Sequence, residues 1–175
     1  MTTAETPLKS VTVITTGGTI EKTYDEFEGT LENRESRIKE RILSRMRLPY
    51  TRLNIISLFS KDSLYMTEED RKLLLQTVRE QSEQGHPIVI LHGTDTMDQS
   101  AQVCLEGISQ AKVPIVFTGA MKPMGFDDSD ATQNTIEALM ASQLLEPGVY
   151  ISFHNRIFKA PRVRKNKQKR TFESY

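Results

Sequence analysis

Residues 11–19 read Val-Thr-Val-Ile-Thr-Thr-Gly-Gly-Thr, a β-branched run that stops at two glycines and presents a hydroxyl just beyond them. β-Branched side chains favour a strand, and a nearly continuous apolar run suggests a strand buried on both faces. The pattern recurs at 53–58, 88–91, 115–118 and 149–153, with Gly93 and Gly119 soon after the third and fourth bursts. Helical patterns lie between them. Residues 37–47 place Ile38, Ile42 and Leu43 on one face. Thr67 is a good N-cap, followed by Glu68, Glu69 and Asp70 where acids favour the helix dipole. That helix should run to about Gln84 and end at Gly85-His86-Pro87. Further helices are expected over 98–111 and over 130–145, the latter stopped by Pro147-Gly148. Strands alternating with helices imply an α/β fold, a mostly parallel sheet with helices on both faces in three layers, flavodoxin- or Rossmann-like. Polar residues 24–35 read as a mobile loop after the first strand.

Composition bounds the rest. A chain of 175 residues fits a single domain, here taken as 1–175, and is large enough to fold without disulfide or metal. Lys plus Arg equals Asp plus Glu at 23 each, so overall charge points to neither nucleic acid nor membrane. One cysteine, Cys104, excludes an internal disulfide and a Cys metal cluster. The opening MTTAETPLKS lacks the apolar core of a secretory signal. No apolar stretch approaches the roughly 20 residues that span a bilayer. A cytoplasmic protein is expected.

In open parallel sheets, ligands bind beyond the carboxyl ends of the strands. That rule selects 15–19, then Ser60-Lys61-Asp62-Ser63, His92-Gly93-Thr94-Asp95-Thr96 and Gly119-Ala120-Met121-Lys122-Pro123. Hydroxyls and carboxylates therefore converge on one edge, with Gly18 and Gly93 small enough for close backbone approach. Thr19 beside free N–H groups suits acyl transfer, a nucleophile next to donors for a developing oxyanion. The same Gly-Gly-Thr could simply close a turn.

A threonine hydroxyl needs a base. His86 lies before the third strand, at the wrong end; His92, next to Gly93, reads as a structural hydrogen-bonder; His154 could touch the site. Tyr24 or a lysine remains. An ordinary lysine is protonated at pH 7, so Lys165, beside Arg164 and Lys167, would have to be depressed by burial or cationic neighbours. Lysines in such a basic run are usually solvated, and residues 162–170 hold six basic residues in nine positions. No HExxH or CxxC occurs, so no zinc site is expected.

The runs T-T-G-G-T-I at 15–20, H-G-T-D-T-M at 92–97 and G-A-M-K-P at 119–123, continuing through Asp130 and Asn134, closely resemble the bacterial L-asparaginase and glutaminase family. The resemblance covers essentially the whole chain, but only the N-terminal domain of the common members. It implies hydrolysis of L-asparagine to L-aspartate and ammonia, with minor glutaminase activity and without metal or organic cofactor. Residue by residue, it implies Thr19 as the nucleophile and Tyr24 as its assistant. Ser60 would bind the substrate α-carboxylate and Asp95 the α-ammonium, with Gly18 and Gly93 at the substrate. Thr94, Asp95 and Lys165 would form the proton relay, which overrides the expectation of a solvated lysine. Two departures stand out: Lys61 replaces the usual glutamine, and Lys122 the usual arginine. The chain is similar to short bacterial members lacking the C-terminal domain, which in longer members lends a neighbouring subunit's glutamate. Glu26 and Glu28 are candidates to compensate. A homo-oligomer, dimer or tetramer, is expected, with 98–111 or 130–145 as contact helices. Other readings are an FMN-type phosphate loop at 15–19, nucleic-acid binding through 162–170, and an inactive scaffold.

Overall fold

The computed structural model describes residues 7–33 and 43–175. In chain order the elements are β1 (Lys9–Gly17), β2 (Lys22–Asp25), β3 (Thr30–Asn33), β4 (Thr51–Lys61), α1 (Glu68–Ser82), β5 (Ile88–Leu91), α2 (Met97–Gly107), β6 (Pro114–Thr118), α3 (Ala131–Leu144), β7 (Gly148–Phe153), β8 (Arg156–Lys159), β9 (Arg164–Asn166) and β10 (Thr171–Glu173). The central sheet has the order β4-β1-β5-β6-β7-β8. Its first five strands are parallel, and β8 returns antiparallel on the β7 edge.

Side-chain alternation splits each run into two cores. Ile14, Ile88, Ile90, Ile115, Phe117, Ile151 and Phe153 face Leu74 and Val78 of α1 and Met97, Ala101 and Cys104 of α2. Val11, Val13, Val89, Leu91, Val116 and Tyr150 face Leu43 and Ala131, Ala138 and Leu139 of α3. Apolar residues are thus needed on both faces, which is why the strands read as unbroken hydrophobic bursts. In the register, Thr15, Leu91 and Thr118 lie side by side. The chain therefore leaves three adjacent strands at one level. The expected three-layer α/β architecture is what forms.

Several local expectations need correction. The segment expected as a mobile loop forms the β2–β3 hairpin from 22 to 33, with residues 34–35 outside the described residues. The Asp25 carboxylate accepts from the N–H groups of Phe27 and Glu28 at 2.8 and 3.2 Å, and Gly29, at φ +67°, closes the turn. A polar sequence can pair as a ribbon when its turn is this well bonded. Of the helix expected over 37–47, residues 37–42 lie outside the described residues, and Leu43–Arg45 is only a 3₁₀ turn. Helix α1 ends at Ser82, and α2 ends at Gly107, four positions before the expected 111. Helix α3 starts at Ala131, where Ser129 Oγ accepts from the Ala131 N–H at 3.1 Å. Strands β8, β9 and β10 were not legible in the sequence. Among the described residues, no helix is long and apolar enough to cross a membrane.

At α1 the expected cap forms completely. Thr67 Oγ1 accepts from Asp70 N–H at 3.2 Å, and the Asp70 carboxylate accepts from Thr67 N–H at 2.8 Å, a reciprocal capping box. Replacing Thr67→Ala should lower stability by about 1 kcal/mol, read as a shifted urea midpoint with an unchanged slope.

Candidate active site

Glycines set the spacing of the candidate site. Gly17 and Gly18 have φ of +93° and +85°, conformations L side chains rarely adopt. A Cβ on Gly18 would fall 2.3 Å from Gly93 Cα, and one on Gly93 would fall 2.6 Å from Ser63 Cβ. One on Gly119 would meet the His92 carbonyl at 2.2 Å. Gly18 N–H donates to Lys61 O at 2.8 Å, and Thr16 Oγ1 donates to Leu91 O at 3.1 Å. The exits of β1, β4, β5 and β6 are thus locked together through backbone. Thr19 opens the 3₁₀ turn Thr19–Glu21 directly after Gly18, and Thr94 follows Gly93. The close Gly18–Gly93 backbone contact places these two threonine-bearing loops side by side.

Lys165 enters from β9. Its Nζ donates to Thr94 Oγ1 at 2.7 Å and to Asp95 Oδ1 at 2.9 Å. Thr94 is buried, and the lysine side chain is 15% exposed. In the hairpin, Lys165 stands opposite Phe172, which is buried against the Phe153 ring with centroids 5.0 Å apart. The solvated position usual for a lysine in a basic run, set aside by the resemblance, is not the one Lys165 takes: it turns inward from β9. Its neighbour Arg164 points outward to Glu173, which also takes Lys169 and Asn166. That pairing partly neutralises the basic run.

The remaining residues fall as follows. Ser60 is half-buried at the carboxyl end of β4. Lys61 turns away onto both Asp70 oxygens, at 2.8 and 2.9 Å, so the position of the family's glutamine contributes no side chain here. Asp62 takes Lys22 at 2.6 Å. Burial opposes its ionisation, but the hydrogen bonds from Lys22 and Leu64 N–H, with the charges of Lys22 and Lys165, hold it below the usual range. Tyr24 is 57% exposed on β2, with its hydroxyl near Gly29 at the hairpin tip. It lines an open groove with Lys22, Glu26 and Phe126. Tyr24 thus stands outside the Thr94–Asp95–Lys165 cluster. Lys122, at the usual arginine position, pairs with Asp128. Among the described residues, no three His, Cys, Asp or Glu side chains are grouped to hold a metal ion.

Two histidines are structural supports. His92 is fully buried: Nδ1–H donates to Gly93 O at 2.7 Å, because a carbonyl can only accept, and Nε2 accepts from Ser100 Oγ–H at 2.8 Å. Burial pushes the ring down to about 4, with Arg71 adding to the shift and the Gly93 bond opposing it. At the β7–β8 turn, His154 bridges Asp130 at 2.8 Å and Thr171 at 2.9 Å. Reading along the chain could not join three residues so far apart; the family motif supplied only Asp130.

A family model described as "Asparaginase, N-terminal" matches residues 10–175. The chain is 36% identical over 120 residues to the human 60 kDa lysophospholipase, 68% of this chain and 21% of that protein. It is 30% identical over 169 residues to L-asparaginase 1 of Escherichia coli, 90% of this chain and 47% of that one. The solved thermostable L-asparaginase from Thermococcus kodakarensis superposes with a TM-score of 0.84 at 27% identity, covering 94% of this chain and 51% of that chain. The chain thus spans about half, or less, of the length of these relatives.

The buried His92 makes stability pH-dependent. The unfolded ring takes up a proton near 6.5, and the folded ring only near 4, so this stability is complete above 6.5 and is lost as pH falls. The loss between pH 7 and 5 should be about 2 kcal/mol. Denaturant titrations at the two pH values read it, and His92→Asn should remove that component of the slope.

Proposed function

The chain belongs to the asparaginase family, matching its N-terminal domain over residues 10–175, and from that premise we propose that it hydrolyses L-asparagine through an ester on Thr19. The supporting observation is Lys165 Nζ at 2.7 Å from Thr94 and 2.9 Å from Asp95, on a loop whose Gly93 touches Gly18. A nucleophile, a second hydroxyl, an acid and an amine then share one strand edge.

In this reading, Ser60 holds the substrate α-carboxylate and Asp95 the α-ammonium, with the Gly18 and Gly93 backbones against the substrate. Thr19 Oγ attacks the side-chain carbonyl while Tyr24 assists. The backbone N–H of Thr19, beyond the Gly18 N–H that Lys61 O already holds, offsets charge on the carbonyl oxygen. The C–N bond breaks, and the hydroxyl proton leaves with nitrogen, giving ammonia. A water then attacks the β-aspartyl ester. Its proton passes by way of Thr94 and Lys165 and restores the Thr19 hydroxyl as L-aspartate leaves. Protons and bonds balance without metal or cofactor. We place the reaction in the cytoplasm.

Thr19→Ala should abolish ammonia release from asparagine while leaving circular dichroism and melting unchanged, and Lys165→Met should lower turnover at least a hundredfold. Full turnover in Thr19→Ala would refute the assignment. Glutamine differs by one methylene, worth about 1–3 kcal/mol. Its kcat/KM should therefore lie about 10–100-fold below that of asparagine.

We also assign a homo-oligomeric state, dimer or tetramer. Ile136, Met140 and Leu144 follow at four-residue spacing on α3 and, with Ile157 of β8, leave an apolar face exposed. Contiguous exposed apolar surface of this kind favours association. Sedimentation should give a dimer or tetramer, and Met140→Glu should shift it toward monomer.

A further inference from the structure

The β9–β10 hairpin that carries Lys165 has three residues in each strand. A two-stranded ribbon of that size is marginal by itself. A lysine also has four rotatable side-chain bonds, so holding Nζ 2.7 Å from Thr94 requires a fixed backbone. Phe172 supplies an apolar anchor, one residue from Thr171 and directly across from Lys165. The polar anchor is Thr171, held by His154 Nδ1 at 2.9 Å.

The bonds of this anchor converge on Asp130. Asp130 accepts from Met121 N–H and Lys122 N–H at 3.0 Å each, from Asn134 Nδ2 at 3.0 Å and from His154 Nε2 at 2.8 Å. Burial opposes its ionisation, but these bonds hold its pKa below the usual carboxylate value. An ionised carboxylate only accepts, so Nε2 carries the proton. The other ring nitrogen, Nδ1, pairs with Thr171 Oγ1. Asn134 Nδ2 also donates to Gly119 O at 2.9 Å, and Asn134 Oδ1 accepts from His154 N–H at 3.1 Å. The anchor therefore starts at the loop after β6, which packs on His92. His154 sits at φ +47°, a left-handed conformation costly for most residues and easiest for Gly, Asn or Asp.

We propose that His154 is a positioning residue for Lys165: by holding Thr171 to the β7–β8 turn, it fixes the hairpin so that the Lys165 amine meets Thr94 and Asp95. Its part in turnover rests on the amidohydrolase reading above; its part in placing the hairpin does not.

Two substitutions divide the ring's bonds. In His154→Asn the short amide reaches about as far as Nδ1, keeps Thr171 and suits the left-handed backbone. In His154→Gln the longer amide reaches about as far as Nε2, keeping Asp130 and losing Thr171. Thr171→Val removes the hydroxyl at nearly constant shape.

The first readout needs no activity. Mass-spectrometric footprinting with an amine-acylating reagent should label Lys165 slowly in the parent and in His154→Asn. Labelling should be about five- to tenfold faster in His154→Gln and Thr171→Val, the weight of one hydrogen bond, while labelling of Lys72 on α1 stays constant. The second readout is asparagine turnover. In those two variants kcat should fall about tenfold, KM should not rise, and acid-quenched enzyme should carry the aspartyl ester on Thr19, because relay-dependent hydrolysis slows. The double variant should be no worse than either single one. Unchanged Lys165 labelling in both variants overturns the proposal. So does multiplicative loss in the double variant, or a kcat loss that merely follows the folded fraction without ester. If the parent releases no ammonia and forms no ester, the amidohydrolase reading fails, and the labelling result still decides the role of His154.

Discussion

Backbone touching backbone at Gly18 and Gly93 is the constraint on which the rest depends. The ends of β1 and β5 meet so closely that a single methyl group on either glycine would overlap main-chain or Ser63 atoms. The contact cannot be relieved by choosing another rotamer, because the Gly18 Cβ would strike Gly93 Cα and N. It has a chemical consequence: the residues immediately following the two glycines are threonines, and they inherit the proximity. The parallel register supplies the level platform, since Thr15, Leu91 and Thr118 end side by side.

Around that contact, the buried His92 and the half-buried Asp130 are polar groups whose hydrogen bonds are satisfied. His92 spends both ring nitrogens on Gly93 and Ser100, and is held neutral because burial disfavours its charge. Asp130 does the reverse. Four donors converge on it, so its charge is tolerated at the base of α3, where a helix N-terminus also favours an anion. One group rigidifies the loop bearing Thr94 and Asp95; the other ties the β6 exit to the β7–β8 turn and on to β10. The candidate site is consequently framed from both ends of the chain.

Charges that a sequence alignment would place at the substrate are partly diverted. Lys61 is taken by Asp70 and Asp62 by Lys22, so the β4 exit offers Ser60 and backbone. This leaves Asp95 as the acid beside Lys165, and the proposed grip on an α-ammonium falls to it. Tyr24, on a hairpin bonded mostly to itself, stands apart from the cluster.

Much of the fold was legible because it depends on local periodicity. The four inner parallel strands are nearly continuous apolar bursts, since each buries both faces, while the edge strand β4 stays partly exposed, and the Thr67 cap is a contiguous four-residue pattern. The threonine loops were legible because glycine marks their turns. Less visible were elements specified by partners distant in sequence: the polar β2–β3 hairpin, fixed by one aspartate in its turn, and the short strands β8 to β10, too brief for any period. Lys165 shows the division most clearly. Its sequence surroundings describe a solvated cation, and only its pairing opposite buried Phe172, with Thr94 seventy-one positions away, turns it inward. The sequence by itself determined the five parallel strands and where glycine must sit, because those follow from burial and backbone sterics over a few neighbours. Tertiary structure alone decided which charges face the cleft and that His154 joins Asp130 to Thr171, because hydrogen bonds act over about 3 Å in space and carry no signature along the chain.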